Sequence, residues 1–270
     1  MEIKVGCEFD YEVIHPTAAV LQVQPREDGP HHVREAVLRT TPELPMHAYH
    51  DVYGNLCQRV NLPPGPLKIY YDARVEVSSN FDDVHLDAPQ MAITDLPDET
   101  LLYTLPSRYC LSDLLGDAAW KLFGNSEPGF RRVQAISDWV HENIRFQYGT
   151  STPLTTAKDV YESGVGVCRD FTHLGISFCR AMNIPARYVF GYLPDIAVPP
   201  PGTPMDFCAW FEAWLGGRWY TFDPRNNTPR VGRAVIGRGR DALDVAMVTT
   251  YGNVILNDVQ VWADEAVPRT

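Results

Sequence analysis

Between Gly164 and Asn183 the chain reads GVGVCRDFTHLGISFCRAMN, with two spaced glycines, then Cys168, then Phe171, Leu174, Gly175, Phe178 and Met182 stepping mostly by three and four. That spacing predicts a helix with one apolar face. Asn183, which tolerates a left-handed conformation, and Pro185, which cannot continue a helix, close it. Cys168 is thereby expected at a helix N-terminus, where unpaired backbone N–H groups and the positive end of the macrodipole favour a thiolate and lower the thiol pKa. A nucleophile needs that environment; the competing role for a free cysteine is that of a small buried hydrophobe.

The chain leading to this helix changes character once. Ile3, Val5, Cys7, Phe9, Tyr11 and Val13 fall on odd positions, the period-two pattern of a half-buried strand. Further strands are expected at 19–23 and 36–40, and a hairpin turn at Gly54–Asn55 within 51–60. A second alternation puts Leu67, Ile69, Tyr71, Ala73, Val75 and Val77 on one face. Residues 1–80 therefore read as an N-terminal antiparallel β-sandwich. His31, His32, His47 and His50 have no Cys, Asp or Glu at ligand spacing and read as surface loop residues. The acidic, proline-punctuated stretch 81–106 reads as a linker with a solvated charged face, and helices are expected from about Ser112 onward. Phe130, Val133, Ile136, Val140 and Ile144 predict a helix with Asn125 or Ser126 as its cap and Pro128 in its first turn, and with His141 on its surface.

Composition narrows the function classes. A formal charge of −11 leaves no basic surplus to neutralise phosphates, which argues against nucleic acid or an anionic membrane as partner. No apolar run has the length of a bilayer span. The start MEIKVGCEFDYEV lacks a basic region followed by an apolar block, so a cytoplasmic location is expected. Six cysteines without CxxC pairs indicate neither a disulfide framework nor a zinc ribbon, and no cofactor or metal is expected.

After the Cys168 helix, 187–193 reads as a strand, followed by the proline-rich loop 194–205, placed to overhang a site. Asp206 to Leu215 and Arg218 to Asp223 form a hairpin around Gly216–Gly217. Without a bulge, paired positions sum to 433, so that Trp214 opposes Trp219, Glu212 opposes Thr221 and Trp210 opposes Asp223. Cys208, Trp210, Glu212, Thr221 and Asp223 then share one face. Beyond it, Arg225, Arg230, Arg233, Arg238 and Arg240 either balance the acidic body or line a substrate groove, and a last hairpin is expected around Gly252–Asn253.

The pattern GVC-x-DF-x-H, then IPARYV, D-x-x-AW-x-E, a double-glycine turn and W-x-x-FDP resembles the bacterial transglutaminase-like family over 155–227. The strand-rich first eighty residues resemble the N-terminal β domain of many bacterial members. The resemblance implies an α+β fold in which a papain-like core, here 107–270, packs a nucleophile-bearing helix on an antiparallel sheet. It implies Cys168 as nucleophile and Asp223 as the acid that orients the histidine; the Cys168 backbone N–H, pointing from the helix start, is the natural oxyanion donor. The family's HAW-x-E motif, however, reads CAWFE here, so Cys208 stands where the triad histidine is expected. In such a triad the imidazole takes the thiol proton and later protonates the leaving amine, which a thiol cannot do. His173 lies about 140° around the helix from Cys168 and faces elsewhere. The implied function is acyl transfer or amide hydrolysis on a peptide or protein through a Cys168 thioester. The alternatives are a catalytically impaired relative that binds a peptide in the same cleft, or a metal held by Cys168, Cys208 and Asp223. Under oxidation the two sulfurs would approach disulfide distance only if the helix or strand moved inward.

Overall fold

The alternation of the first strand is realised along its whole length: β1 (Glu2–Val13) buries Ile3, Val5, Cys7, Phe9, Tyr11 and Val13. The computed structural model describes residues 1–27, 31–199, 202 and 204–266. After β1 come β2 (Thr17–Leu21), β3 (His32–Thr41), β4 (Met46–His50), β5 (Leu56–Leu62) and β6 (Gly65–Glu76). β6 pairs antiparallel with β1, from Ile3 opposite Val75 to Val13 opposite Gly65, and with β3 on its other side. β2, β5 and β4 belong to a second antiparallel sheet. The expected turn at Gly54–Asn55 joins β4 to β5, whose first pair is His50 with Leu56. The inner faces of the two sheets bury Leu21, Val60, Leu62, Leu67, Ile69 and Val75 in one apolar cluster, as a sandwich requires.

The core begins with short α1 (Asp98–Leu101), α2 (Gly116–Phe123), α3 (Phe130–Asn143), β7 (Arg145–Phe146), α4 (Ala157–Ser163), β8 (Val165–Gly166) and α5 (Cys168–Ala181). There follow β9 (Ala186–Tyr192), β10 (Cys208–Leu215), β11 (Arg218–Phe222), β12 (Ala234–Gly239), β13 (Val248–Thr250) and β14 (Val254–Glu265). β11, β10, β9 and β12 form one antiparallel sheet in that order. α5 packs on β9 and β10, with α2, α3 and α4 around it. Its approach to the sheet is close at Gly175, where an added Cβ would lie 2.7 Å from a ring carbon of Phe211. The helix end is tied down by buried Arg180, which donates to the carbonyls of Ala186, Leu105 and Arg240. In the hairpin, Gly216 (φ 55°) and Gly217 (φ 89°) supply the two left-handed positions of a two-residue turn. Trp214 opposes Trp219 and Glu212 opposes Thr221, the register expected from the sequence.

Four expectations need correction. The first concerns the boundary at 107–270, because β13 pairs with β2 and β14 pairs along the whole of β1. The C-terminal strands complete the N-terminal sandwich and cover a β1 edge that would otherwise expose a row of unpaired N–H and C=O groups. The chain does turn near Gly252–Asn253, but the strands on either side enter different sheets instead of pairing with each other. Second, the 81–106 stretch already contains helix, since α1 starts at Asp98 with Asp98 and Glu99 in its first turn, where carboxylates suit the dipole. Third, α3 starts after Gly129, whose carbonyl accepts the first intrahelical bond from the Val133 N–H at 3.2 Å, so neither Asn125 nor Ser126 is its cap and Pro128 precedes the helix instead of sitting in its first turn. Fourth, His31 is buried, and His47 and His50 are exposed on a strand and not in a loop. Of the proline-rich loop 194–205, residues 200, 201 and 203 lie outside the described residues.

Candidate active site

The glycine stretch before Cys168 folds as β8, which pairs in parallel with β7 and fixes where α5 begins. The Val167 N–H donates to the Asp170 carboxylate at 2.9 Å, satisfying a donor just before the first turn. Asp170 is itself buried and also accepts from the Ser151 hydroxyl at 3.0 Å. Cys168 is therefore the first residue of α5, half-buried, with the backbone N–H groups of Ala209 and Arg169 near enough its sulfur to favour the thiolate. Its Sγ lies 3.9 Å from the Phe207 carbonyl, which places it against the start of β10.

Cys208 is the first residue of β10. It packs with Trp210, Val189 and Val235, whereas Phe211, one position out of phase, presses on α5. Cys208 nonetheless lines the same cleft as Cys168. Both thiols are free. The cleft has a volume of about 240 Å³, and its walls include Phe146, Tyr148, Asp206 and Arg225. Pro204 and Met205, from the loop expected to overhang a site, also line it.

Asp223 follows directly on β11 and is buried. Its Oδ2 accepts from the Asn226 side-chain amide at 2.9 Å and from Arg233 Nη2 at 3.0 Å, and its Oδ1 accepts from the Asn226 backbone N–H at 3.1 Å. The Asn226 amide nitrogen is also 4.0 Å from Cys208 Sγ, so the amide stands between the acid and the thiol. Asn227 turns away to Ser137 and Asp138 of α3, and the Trp210 indole ring lies under the Arg233 guanidinium at 4.6 Å. Sequence reasoning missed Arg233 and its second partner Asp82, whose two oxygens accept from Arg233 Nε at 3.0 Å. The signals were an acidic run in the linker, read as a solvated face, and a basic run after the hairpin, read as balancing the acidic body or lining a groove; neither reveals which of their members pair. His141, on the α3 surface as expected, has its Nδ1 3.0 Å from the Pro224 carbonyl and so supports the turn that carries Asp223 and Asn226.

The electrostatics reverse one expectation. Burial pushes the Cys168 thiol up to about 11, and the Asp206 charge adds to it, so desolvation outweighs the helix-start N–H groups that favour a thiolate. The Cys208 thiol is raised well above its ordinary value, first by burial and then by Asp223 and Cys168. Both shifts favour the protonated thiol over the thiolate. His173 is buried, held well below the usual imidazole range by burial and then by Arg169 and Arg180, stacked on Tyr109 and in tilted contact with Tyr188. It accepts from the Ala242 N–H through Nε2 at 3.1 Å and does not face Cys168. Among the described residues, no cluster of three or more His, Cys, Asp or Glu is placed to hold a metal. The rate of Cys168 alkylation by iodoacetamide should accordingly climb about tenfold per pH unit from 7 to 9.5 with no plateau. A plateau below pH 8 in the mapped Cys168 peptide would show a thiol activated beyond what this environment provides.

A family model, Transglutaminase-like superfamily, matches residues 117–224, a span that contains Cys168, Cys208 and Asp223. The structure of a candidate cysteine protease from Cytophaga hutchinsonii is 31% identical, covers all of this chain and 92% of that one, and superposes with a TM-score of 0.90. An uncharacterised protein of Mycobacterium leprae is 29% identical over 218 residues, spanning 77% of each chain. One of Mycobacterium tuberculosis is 29% identical over 218 residues, spanning 72% of this chain and 68% of its own. With N-terminal antiparallel sheets, a helix starting at Cys168 and a matching antiparallel sheet beneath it, the chain belongs to the transglutaminase-like superfamily.

Proposed function

We propose that the protein is a cysteine acyltransferase or amidohydrolase that acts on an amide of a peptide or protein through a thioester at Cys168. The observation that carries this reading is the position of Cys168: first residue of a helix, half-buried, and open to a cleft beside Cys208 and the Asp223–Asn226 turn. The candidate cysteine protease from Cytophaga hutchinsonii supports the same reaction class. Sγ of Cys168 attacks the carbonyl carbon, the C–N bond breaks, and the thiol proton leaves with the amine. Water or a second amine then attacks the thioester, the C–S bond breaks, and the proton given up by the attacking group returns to the sulfur. The Cys168 backbone N–H, which as the first of α5 has no intrahelical acceptor, is the donor for the carbonyl oxygen as it becomes an oxyanion.

Incubation with p-nitrophenyl acyl esters followed by intact-mass measurement should show one acyl adduct, mapped to Cys168 and absent from a folded Cys168→Ala variant. An adduct that persists in that variant would assign the chemistry to another group. A second reading is supported by the saturation of Asp223 by Arg233 and Asn226 and by the burial that raises the pKa of both thiols. In it the cleft binds a peptide without turning it over, and saturable peptide binding with no adduct would favour it.

A further inference from the structure

Most arginines that follow the hairpin are tied to acids. Arg230 pairs with Asp195 at 2.9 Å, Arg233 with Asp82 and Asp223, Arg238 with Glu212, and Arg240 with Asp244. Arg225 differs. It is half-buried and lies 3.8 Å over the centroid of the Phe146 ring, with no carboxylate paired to it among the described residues. Phe146 and Arg225 both line the cleft that holds Cys168, and so does Tyr148, whose ring lies against Phe146 at 5.0 Å between centroids. A guanidinium stacked on an aromatic face keeps its edge N–H donors free in a geometry that suits a carboxylate. The other charged group of the cleft with no ion pair among the described residues is Asp206, an exposed carboxylate that Cys168 feels as its strongest charge perturbation. The cleft therefore presents one available cation and one available anion around the nucleophile.

We infer that Arg225 is a specificity-determining residue that binds a carboxylate of the substrate next to the amide presented to Cys168, with Asp206 repelling anions placed on its own side. The carboxylate is either an acidic side chain beside the scissile amide or the free C-terminus of a short peptide; both offer the planar anion that a guanidinium edge receives. This inference rests on Cys168 as the cleft nucleophile, and its test separates the two.

The first measurement compares the rate constants for alkylation of Cys168 by iodoacetate, an anion, and by the neutral iodoacetamide. Arg225→Gln should lower the iodoacetate-to-iodoacetamide ratio by about fivefold at low ionic strength, Arg225→Lys should largely keep it, and Asp206→Asn should raise it. An unchanged ratio in Arg225→Gln overturns the inference while leaving the nucleophile in place. The second measurement needs no reaction at Cys168: the Arg225 Nε–H resonance is followed by NMR during titration with three peptides. These are end-blocked Ala-Glu-Ala, end-blocked Ala-Gln-Ala, and Ala-Ala-Ala blocked only at its N-terminus. A saturable shift with either acidic peptide and none with the glutamine peptide supports the inference, and the peptide that acts identifies the source of the carboxylate. The absence of a shift with both acidic peptides overturns it, even if Cys168 proves fully reactive.

Discussion

Cys208→His is expected to raise acylation at Cys168 by about 10²- to 10⁴-fold, the usual contribution of a positioned general base. Asn226 now occupies the space between the Cys208 sulfur and the Asp223 carboxylate, donating at 2.9 Å to the acid and lying 4.0 Å from the thiol. An imidazole is longer than a thiol and can displace that amide, accept the Cys168 proton and donate its second N–H to Asp223. Arg233 would keep part of the carboxylate's charge occupied, since Asp223 Oδ2 also accepts from it at 3.0 Å. The gain should therefore grow further in the double variant Cys208→His with Arg233→Gln, provided that variant folds. A folded Cys208→His protein as inert as the parent toward p-nitrophenyl esters and a panel of amides would mean that the site lacks more than its base. The pH profile provides a second readout: with an imidazole partner, Cys168 alkylation should acquire a plateau near neutral pH that the parent lacks.

The largest loss of stability is expected from Glu212→Ala, four residues further along β10. Glu212 is buried and accepts from Arg187 Nε at 2.6 Å and from Arg238 Nε at 3.1 Å, while the Arg187 guanidinium lies 4.0 Å over the Trp219 ring. Removing the carboxylate leaves two arginines without their shared counter-charge, a change that typically destabilises by about 3–5 kcal/mol. In a chain of this size that corresponds to a fall in melting temperature of about 10 °C. The carboxyl also shapes the acid limb of stability. Burial alone would raise its pKa, but Arg187 and Arg238 outweigh burial and hold it below the ordinary value of 4.5. A group whose folded pKa is depressed contributes stability that is present above the unfolded pKa and lost as pH falls through the folded one. Below pH 4.5, then, the parent should lose stability more steeply with falling pH than Glu212→Ala. Parallel curves for the two proteins in urea titrations at pH 3 to 6 would show that the arginines are not stabilised by this carboxylate.

Local pattern alone determined much of this protein. Period-two runs set β1 and β6, the two glycines after Leu215 set the hairpin and its register, and the step of three and four after Cys168 set α5, because each depends only on neighbouring residues. The resemblance to the family motif likewise rests on single positions, and it is one of these, Cys208, that departs from the histidine the motif leads one to expect. Three matters were decided by contacts across the fold. β14 belongs to the N-terminal sandwich because it covers the β1 edge at the other end of the sequence, from Ile3 with Glu265 to Val13 with Val254; no local pattern encodes which edge a strand will cover. Arg233 pairs both with Asp82, 151 residues earlier, and with Asp223, so members of two separate charge runs join in one largely shielded ion network that holds the acid. The state of the Cys168 thiol was the third, since a helix start can be read from sequence whereas desolvation depends on every group that closes over the sulfur, and here desolvation is the larger effect.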